Sequence, residues 1–431
     1  MFHMAWFVGA GVSVQNWNGA WSGNIADEWT RPDLYIDLAR SLERAGFDYL
    51  MLEDGQLVPD SYQDSPDWFL RTAWMVPKND PMPMVALIGQ ATSRIGIVAT
   101  MTTSFYPPFL GARLAATLDQ LTEGRVGLNL VTAHNDRAAQ NFGLDRHHEH
   151  DLRYEMADEW MTVVGGLWKS WSRDAIVADP ESGIFADAVG VRPIDHDARF
   201  FKCRGPLNTY PGPQGGPVIC QAGGSPAGRD FAAKHAETIL ARSRTVDDAR
   251  AFRDDVRARM RVHGRDPDRC KIMFMMTAII DETDDLAQAR WAHHVATAEA
   301  RMPYKLAYMS YASGLDFSKF DLDQPVPDIK TNAAQATTKL LTTVAGRKTL
   351  REVAMDPSSG GLDFVGSAET VARKMEDAMA AIGGDGFLVS HALTRRSVAE
   401  ITDGLAPVLR RRKLIRDGYA HAMFRDNLLE F

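Results

Sequence analysis

Short β-rich apolar runs recur along the chain, separated by longer stretches whose apolar residues return with helical spacing. The runs read as strands at HMAWFVGAGV, FDYLMLED, RIGIVATMTT, RVGLNLVT, PVICQAG, ETILAR, KIMFMMTAII and GDGFLVS. Alternation of this kind is the signature of βα units around a parallel sheet. Pro32 with Asp33 opens the first helix, which ends near Ala45-Gly46, and Pro107-Pro108 opens another that ends at Glu123-Gly124. Proline inside the start and glycine past the end is the expected asymmetry of helix termini. The number of strands suits an α/β fold of the (β/α)8 TIM type.

Such a barrel needs only ~250 residues, so the surplus of a 431-residue chain falls in loop insertions. One runs from about Trp171 to Pro217 and is rich in proline and glycine; the other runs from about Arg301 to Arg347, where Tyr304, Tyr308, Tyr311 and Phe317 precede Pro325 and Pro327. Long insertions of this kind often build active-site lids. The expected organisation is a single domain over 1–431 carrying both.

Hydrophobic residues at 45% and charged residues at 24% are the balance of an ordinary globular protein. A net charge of -8 argues against a nucleic-acid binder, which needs a basic face. The one basic cluster, Arg410 to Lys413, reads as a solvated helix face. Cys203, Cys220 and Cys270 are far apart with no C-x-x-C pair, so neither a disulfide framework nor a zinc site is expected, and a reducing cytoplasm fits. The apolar opening from Met4 to Val14 lacks a basic flank and a small-residue cleavage pattern, and reads as a buried strand rather than a signal peptide. No apolar run is long enough for a bilayer, so no membrane association is expected.

In a barrel of this class the active face lies at the strand C-termini, which directs attention to polar residues just past apolar runs. Asp54 ends one run and Thr100, Thr102 and Thr103 end another. An aspartate in that place serves equally as a helix N-cap or turn residue. Asn129, Thr132 and His134 follow RVGLNLVT, and a lone loop histidine such as His134 is more often structural or solvated. His150 and Tyr154, four apart in a helical stretch, project from one face. Gly223, Gly224, Ser225 and Gly228 run from a strand into a helix, where exposed backbone N–H groups, the positive helix end and the serine hydroxyl make an anion site; a tight turn would need the same glycines. Trp17, Trp21, Trp29, Phe105, Tyr106 and Phe109 are candidates to line an apolar pocket, with core packing as the plainer use. His147, His148 and His150 suggest a metal, but a barrel metal site draws ligands from several strand ends, and none is expected here. No G-x-G-x-x-G follows a strand into a helix. A hydrolase elbow G-x-S-x-G is broken by Ala227.

The stretch RIGIVATMTTSFYPPFLGARLAATLDQLTEGRVGLNLVTAH, with AAQNFG, HDLRYEMADEW, GLWKSW and PVICQAGGSPAGRDFAAKHAE after it, resembles the bacterial-luciferase-like flavin monooxygenases. The resemblance covers nearly the whole chain and is similar to the branch containing nitrilotriacetate, EDTA and dibenzothiophene-sulfone monooxygenases. It implies a luciferase-like barrel that binds reduced FMN (FMNH2) delivered by a separate NAD(P)H:flavin reductase. It also implies activation of dioxygen as a flavin peroxide, and attack on a small organic substrate with C–N, C–S or C–halogen cleavage. Asp54, Thr100, His150, Tyr154, Gly224 and Ser225 become cofactor-binding residues, the last four holding the FMN side chain and phosphate. Asn129 and His134 become catalytic candidates, and Trp17, Phe105 and Phe109 substrate-binding ones. The resemblance further implies a homodimer or homotetramer built through outer helices. The chain departs from the family pattern at Glu53, at Ala133 and at Phe109, all expected near the pocket. Two other readings stand beside this one: a metal-independent hydrolase using Ser225, and a non-catalytic flavin-binding protein.

Overall fold

A computed structural model describes residues 1–17, 29–326, 331–333, 348–358 and 360–431; Trp21, Pro327 and most of the end of the second insertion lie outside them. All the apolar runs singled out above form parallel barrel strands: β1 (His3–Val8), β2 (Tyr49–Leu52), β3 (Gly96–Thr102), β4 (Val126–Val131), β5 (Val218–Gln221), β6 (Thr238–Ala241), β7 (Lys271–Ile280) and β8 (Gly386–Val389). Each pairs with its neighbour in sequence, and β8 returns to β1 with His3 opposite Gly386 and Trp6 opposite Val389. The barrel is therefore closed. An extra strand, Leu362–Gly366, extends the outer half of the long β7.

The helices outside it include α1 (Asp33–Arg44), α2 (Pro81–Ala91), α3 (Pro108–Leu121), α4 (His150–Trp168), α5 (Pro226–His235), α6 (Val246–Val262), α7 (Asp284–Ala296), α8 (Ala298–Ser313) and α9 (Ala368–Ile382). Their starts are fixed locally. Asp80, Ser225, Thr245, Thr283 and Ser367 each accept a first-turn backbone N–H, a cap worth ~1 kcal/mol.

Strand alternation divides the core in two. Met4, Trp6, Leu50, Leu52, Ile97 and Ala99 face the helices, whereas Ala5, Tyr49, Met51, Val98, Cys220 and Met273 fill the barrel. Buried on both faces, such strands read as continuous apolar runs. The C-terminal segment plugs the lower end: Phe424 and Leu428 join the inner cluster. A Cβ on Gly96 would come within 2.5 Å of the Phe424 ring, so glycine there makes the plug possible. Beneath it Asp48 is buried between His3 and Arg416, and Arg416 reaches Glu430 at 2.9 Å.

The two insertions do different things. Strands Ile176–Asp179 and Ile184–Ala186, then His196–Asp197 and Lys202–Cys203, form small antiparallel pairs in the first. This insertion packs outside α4, with Ile194 against Gly166 and the Trp171 indole donating to the Leu207 carbonyl. The second, through α8, builds a separate small core in which Leu306, Met309 and Phe317 meet Tyr62, Trp68 and Phe69. Among the described residues no helix is long and apolar enough to cross a membrane.

Candidate active site

Along several strands the inward-facing series turns polar towards the C-terminal end: Val98 is followed by Thr100 and Thr102, Gly127 by Asn129, and Leu240 by Arg242. These side chains line a cavity of ≈ 980 Å³ at the active face of the barrel. Asp54, Thr100, Asn129, His134, His150, Tyr154, Gly224 and Ser225, predicted on separate segments, all lie on its wall.

The hydrogen bonds at its floor fix an orientation. The Thr100 hydroxyl donates to the Leu52 carbonyl at 2.9 Å, so it receives the Asn129 amide N–H at 3.0 Å. With its nitrogen so engaged, Asn129 keeps Oδ1 buried and without a partner. A buried unpaired acceptor is costly, which marks this atom as one that awaits a donor. His134 presents a second such atom, its Nε2, while its ring stands edge-on to Tyr311 at 5.4 Å. Burial, with Arg153 and His147 nearby, pushes the His134 pKa down to about 4, so the ring is neutral at physiological pH.

Asp54 sits where desolvation outweighs the pull of Lys78, and its pKa rises to about 6. Glu53 is paired with the Lys78 ammonium, and Gln56 donates to Asp54 at 3.2 Å. Tyr311, on α8, is pushed up by burial and by Glu53 and Asp54. Glu53 and Ala133, two of the departures from the family pattern, line the cavity; Phe109 does not.

At the other wall the loop from β5 into α5 forms a cradle. Ser225 Oγ accepts the Gly228 N–H at 3.1 Å, and Gly223 donates to the Gln221 side chain at 2.6 Å. Tyr154 reaches over it, its phenol against Ser225, Thr132 and Gln221. Gly223 and Gly228 are packed so closely that a Cβ on either would meet the Tyr154 hydroxyl, at 2.7 and 2.8 Å. His150 lies beside Tyr154, its Nδ1 bonded to Asp151 at 2.7 Å. N–H groups at a helix start with a serine, a phenol and an imidazole make an anion-binding cradle. The Ser225 hydroxyl has a cap bond and a phenol as neighbours, neither of them a base, which gives no support to the nucleophile of a hydrolase.

Arg153 was not foreseen. It is 2% exposed, donates only to the His148 and Asn332 carbonyls, and leaves Nε unpartnered. Its position one turn after His150 was the available signal, but a basic residue on a charged helix face ordinarily reads as solvated. Asn332, in the second insertion, accepts the His150 N–H and donates to the His148 carbonyl, so that insertion docks on the cradle and contributes Tyr308, Tyr311, Ala312 and Ala333 to the wall. No residue of the first insertion lines the cavity. His147 is also accounted for: Nδ1 accepts the His148 N–H, so Nε2 donates to the Thr132 carbonyl at 2.9 Å.

The predicted aromatic lining is placed elsewhere. Trp17 is exposed, its indole donating to the Thr72 carbonyl. Phe105 stacks on Phe142 at 4.3 Å, and Phe109 faces outward on the first turn of α3. Spacing could not reveal this, since aromatic residues in a loop after a strand serve packing and pockets alike.

The model of the luciferase-like monooxygenase family matches residues 8–386. The chain belongs to the luciferase-like monooxygenase family. It is 35% identical to the dibenzothiophene-sulfone monooxygenase of Rhodococcus erythropolis (strain XP), covering 99% of this chain and 96% of that protein. It is 36% identical to the dimethyl-sulfide monooxygenase of Hyphomicrobium sulfonivorans, over 92% of this chain and 83% of that one. Among solved structures, long-chain alkane monooxygenase superposes with a TM-score of 0.86 at 30% identity, covering 99% of this chain and 95% of that one. A riboflavin lyase crystallised with modified FMN and riboflavin gives 0.90 at 28% identity, covering 100% and 96%. This luciferase-like protein is thus an enzyme of a flavin-dependent monooxygenase family.

Proposed function

We propose that the chain is the oxygenating component of a two-component system, taking FMNH2 from a separate NAD(P)H:flavin reductase and using dioxygen to oxygenate a small organic substrate. The observation that carries this reading is one continuous cavity with an anion cradle at one wall and an orphaned buried acceptor, Asn129 Oδ1, at its floor. A molecule with a phosphate at one end and a ring N–H at the other meets both needs, and FMN has that chemistry. Ser225, Gly224, Tyr154 and His150 would hold the phosphate and side chain, while Asn129, Thr100 and Asp54 would face the ring system. Reduced FMN, when bound, supplies the reaction with dioxygen that no side chain performs.

The protein's own contribution is position. Thr100 locks the Asn129 amide, so its oxygen is aimed before any ligand arrives, and such pre-orientation avoids reorganisation during reaction. His134 holds a neutral imidazole at the cavity wall, able to donate or accept one proton at Nε2. The second insertion covers part of that wall with Tyr308, Tyr311 and Ala312. Cleavage beside nitrogen, sulfur or halogen is the expected outcome for the substrate.

The test is anaerobic titration with reduced and oxidised FMN, followed by oxygen uptake with a generic reductase and candidate substrates. Saturable FMNH2 binding, and oxygen uptake coupled to product rather than to hydrogen peroxide, are expected. Failure of both flavin forms to bind sinks the reading. Tight binding of oxidised FMN without reductase-dependent oxygen uptake would mean a flavin-binding protein instead.

A further inference from the structure

The charged groups of the cavity wall are unequal in a way that speaks to the substrate. Glu53 is neutralised by Lys78, and Asp54 is held towards its protonated form by burial. Asp248, in the first turn of α6, accepts the Thr245 hydroxyl and lies at a positive helix end. Arg229 and Arg259 share the Asp255 carboxylate. Arg242 differs from all of these. It follows β6 directly, at the strand end that faces the active side, and no carboxylate pairs with it among the described residues. Its guanidinium donates to the Tyr308 hydroxyl at 2.5 Å and lies 5.8 Å from the centre of that ring.

Tyr308 is thereby a positioner. It comes from α8, one turn before Tyr311, whose ring meets His134. Lys305 and Arg244, the neighbouring cations, are otherwise engaged: Lys305 is held down chiefly by burial and donates to the Ser358 carbonyl, and Arg244 is paired with Asp356. The phosphate cradle belongs to the preceding strand, β5, and is built from other residues.

We propose that the substrate is an organic acid, its carboxylate, sulfinate or sulfonate held by Arg242 with Tyr308, and its apolar body lying between Tyr311 and the cavity floor. The inference rests on the flavin reading only for which ligand is the substrate; the anion site itself does not depend on it. A guanidinium presents paired donors to such an anion, and Tyr308 limits the rotamers it must give up on binding.

The test is calorimetric titration of the protein, with and without FMN, using biphenyl-2-carboxylate, benzenesulfinate and biphenyl-2-sulfonate, each against its neutral amide. At least one acid is expected to bind ~10-fold more tightly than its amide, the range of a charge-assisted contact partly open to water. Arg242→Gln should erase that preference and leave amide and FMN affinities within about twofold, and Arg242→Lys should keep part of it. Equal binding of acid and amide, or no binding of any acid, overturns the proposal. So does an Arg242→Gln variant that loses FMN affinity but keeps the acid preference, since Arg242 would then serve the phosphate. If FMN does not bind while the acid preference and its loss in Arg242→Gln persist, the flavin reading fails and the anion site stands.

Discussion

Replacing Gly223 by alanine is expected to weaken FMN binding ~10- to 100-fold without unfolding the protein. The backbone permits the change, because Gly223 is not among the glycines in the left-handed region. Space does not permit it: the new Cβ would lie 2.4 Å from Gln221 Nε2, 2.7 Å from the Tyr154 hydroxyl and 2.9 Å from the Gly228 Cα. The last of these is backbone, so the turn must open by a few tenths of an ångström, and the two side chains must yield as well. Moving the phenol from 2.7 Å to an ordinary contact at 3.4 Å displaces it by about 0.7 Å, which stretches a hydrogen bond of ~2.8 Å to the edge of bonding distance. A hydrogen bond to a charged group contributes ~1.5–3 kcal/mol, and the loss of one sets the predicted factor. Quenching of flavin fluorescence on titration measures it, with Tyr154→Phe as the companion that removes the hydroxyl alone. Gly165→Ala on the same helix meets nothing within 4 Å; it should gain ~1 kcal/mol of stability and keep its affinity. A Gly223→Ala variant that binds FMN within about twofold of the parent would refute the packing argument.

Three further outcomes follow from buried charge. Asp54 titrates at about 6 in the fold against 3.8 ordinarily, so its contribution to stability is greatest at low pH and is lost as pH rises through 6. The Tm advantage of Asp54→Asn should therefore grow between pH 4 and pH 8, and a constant difference would contradict the assignment. His134 and His147 are both held down to about 4 from 6.5, so the stability they contribute is present above pH 6.5 and disappears as pH falls towards 4. A His134→Gln/His147→Gln variant should lose less Tm on acidification than the parent, which thermal scans across that window measure. Asp48→Ala strands the buried Arg416 and His3, at a cost of ~3–5 kcal/mol; urea unfolding that finds less than about 1 kcal/mol would mean that Glu430 alone satisfies Arg416.

The barrel was legible because each strand is an uninterrupted apolar run covered on both faces, and its helices are bracketed by caps such as Asp80 and Ser225. The extra strand Leu362–Gly366 was not, since it pairs only with the protruding half of β7, a tertiary accident that leaves no local mark. The same division holds at the site. Asp54, Thr100, Asn129 and Ser225 stand at strand ends, where topology alone predicts exposure to the cavity. Arg153, Gln221 and Arg242 matter because of what surrounds them: buried carbonyls, a glycine turn and a tyrosine from a distant insertion. Trp17, Phe105 and Phe109 are pocket candidates by residue type alone, and type says nothing about which way a loop ring turns.

The direction of the pKa shifts separates the two unpaired cations of the wall. Asp54 and Tyr311 rise and His134 falls, so burial drives every one of these wall groups towards its neutral form. A guanidinium buried in such a wall calls for an anion to complete it, because an unpaired buried charge is costly; this holds for Arg153, which is 2% exposed, whereas Arg242 is exposed and hydrated until a ligand arrives. Arg153 and Arg242 are the lining arginines without a carboxylate partner among the described residues. Arg153 lies on α4 beside the proposed phosphate cradle, and Arg242 lies just past the end of the next strand, β6. If the first is completed by the cofactor, the second remains for the substrate, and the two should respond to different ligands. Arg153→Gln should then weaken FMN binding without altering the acid-over-amide preference, the reverse of Arg242→Gln. Variants that both lose the same ligand would show a single anion site shared by two arginines.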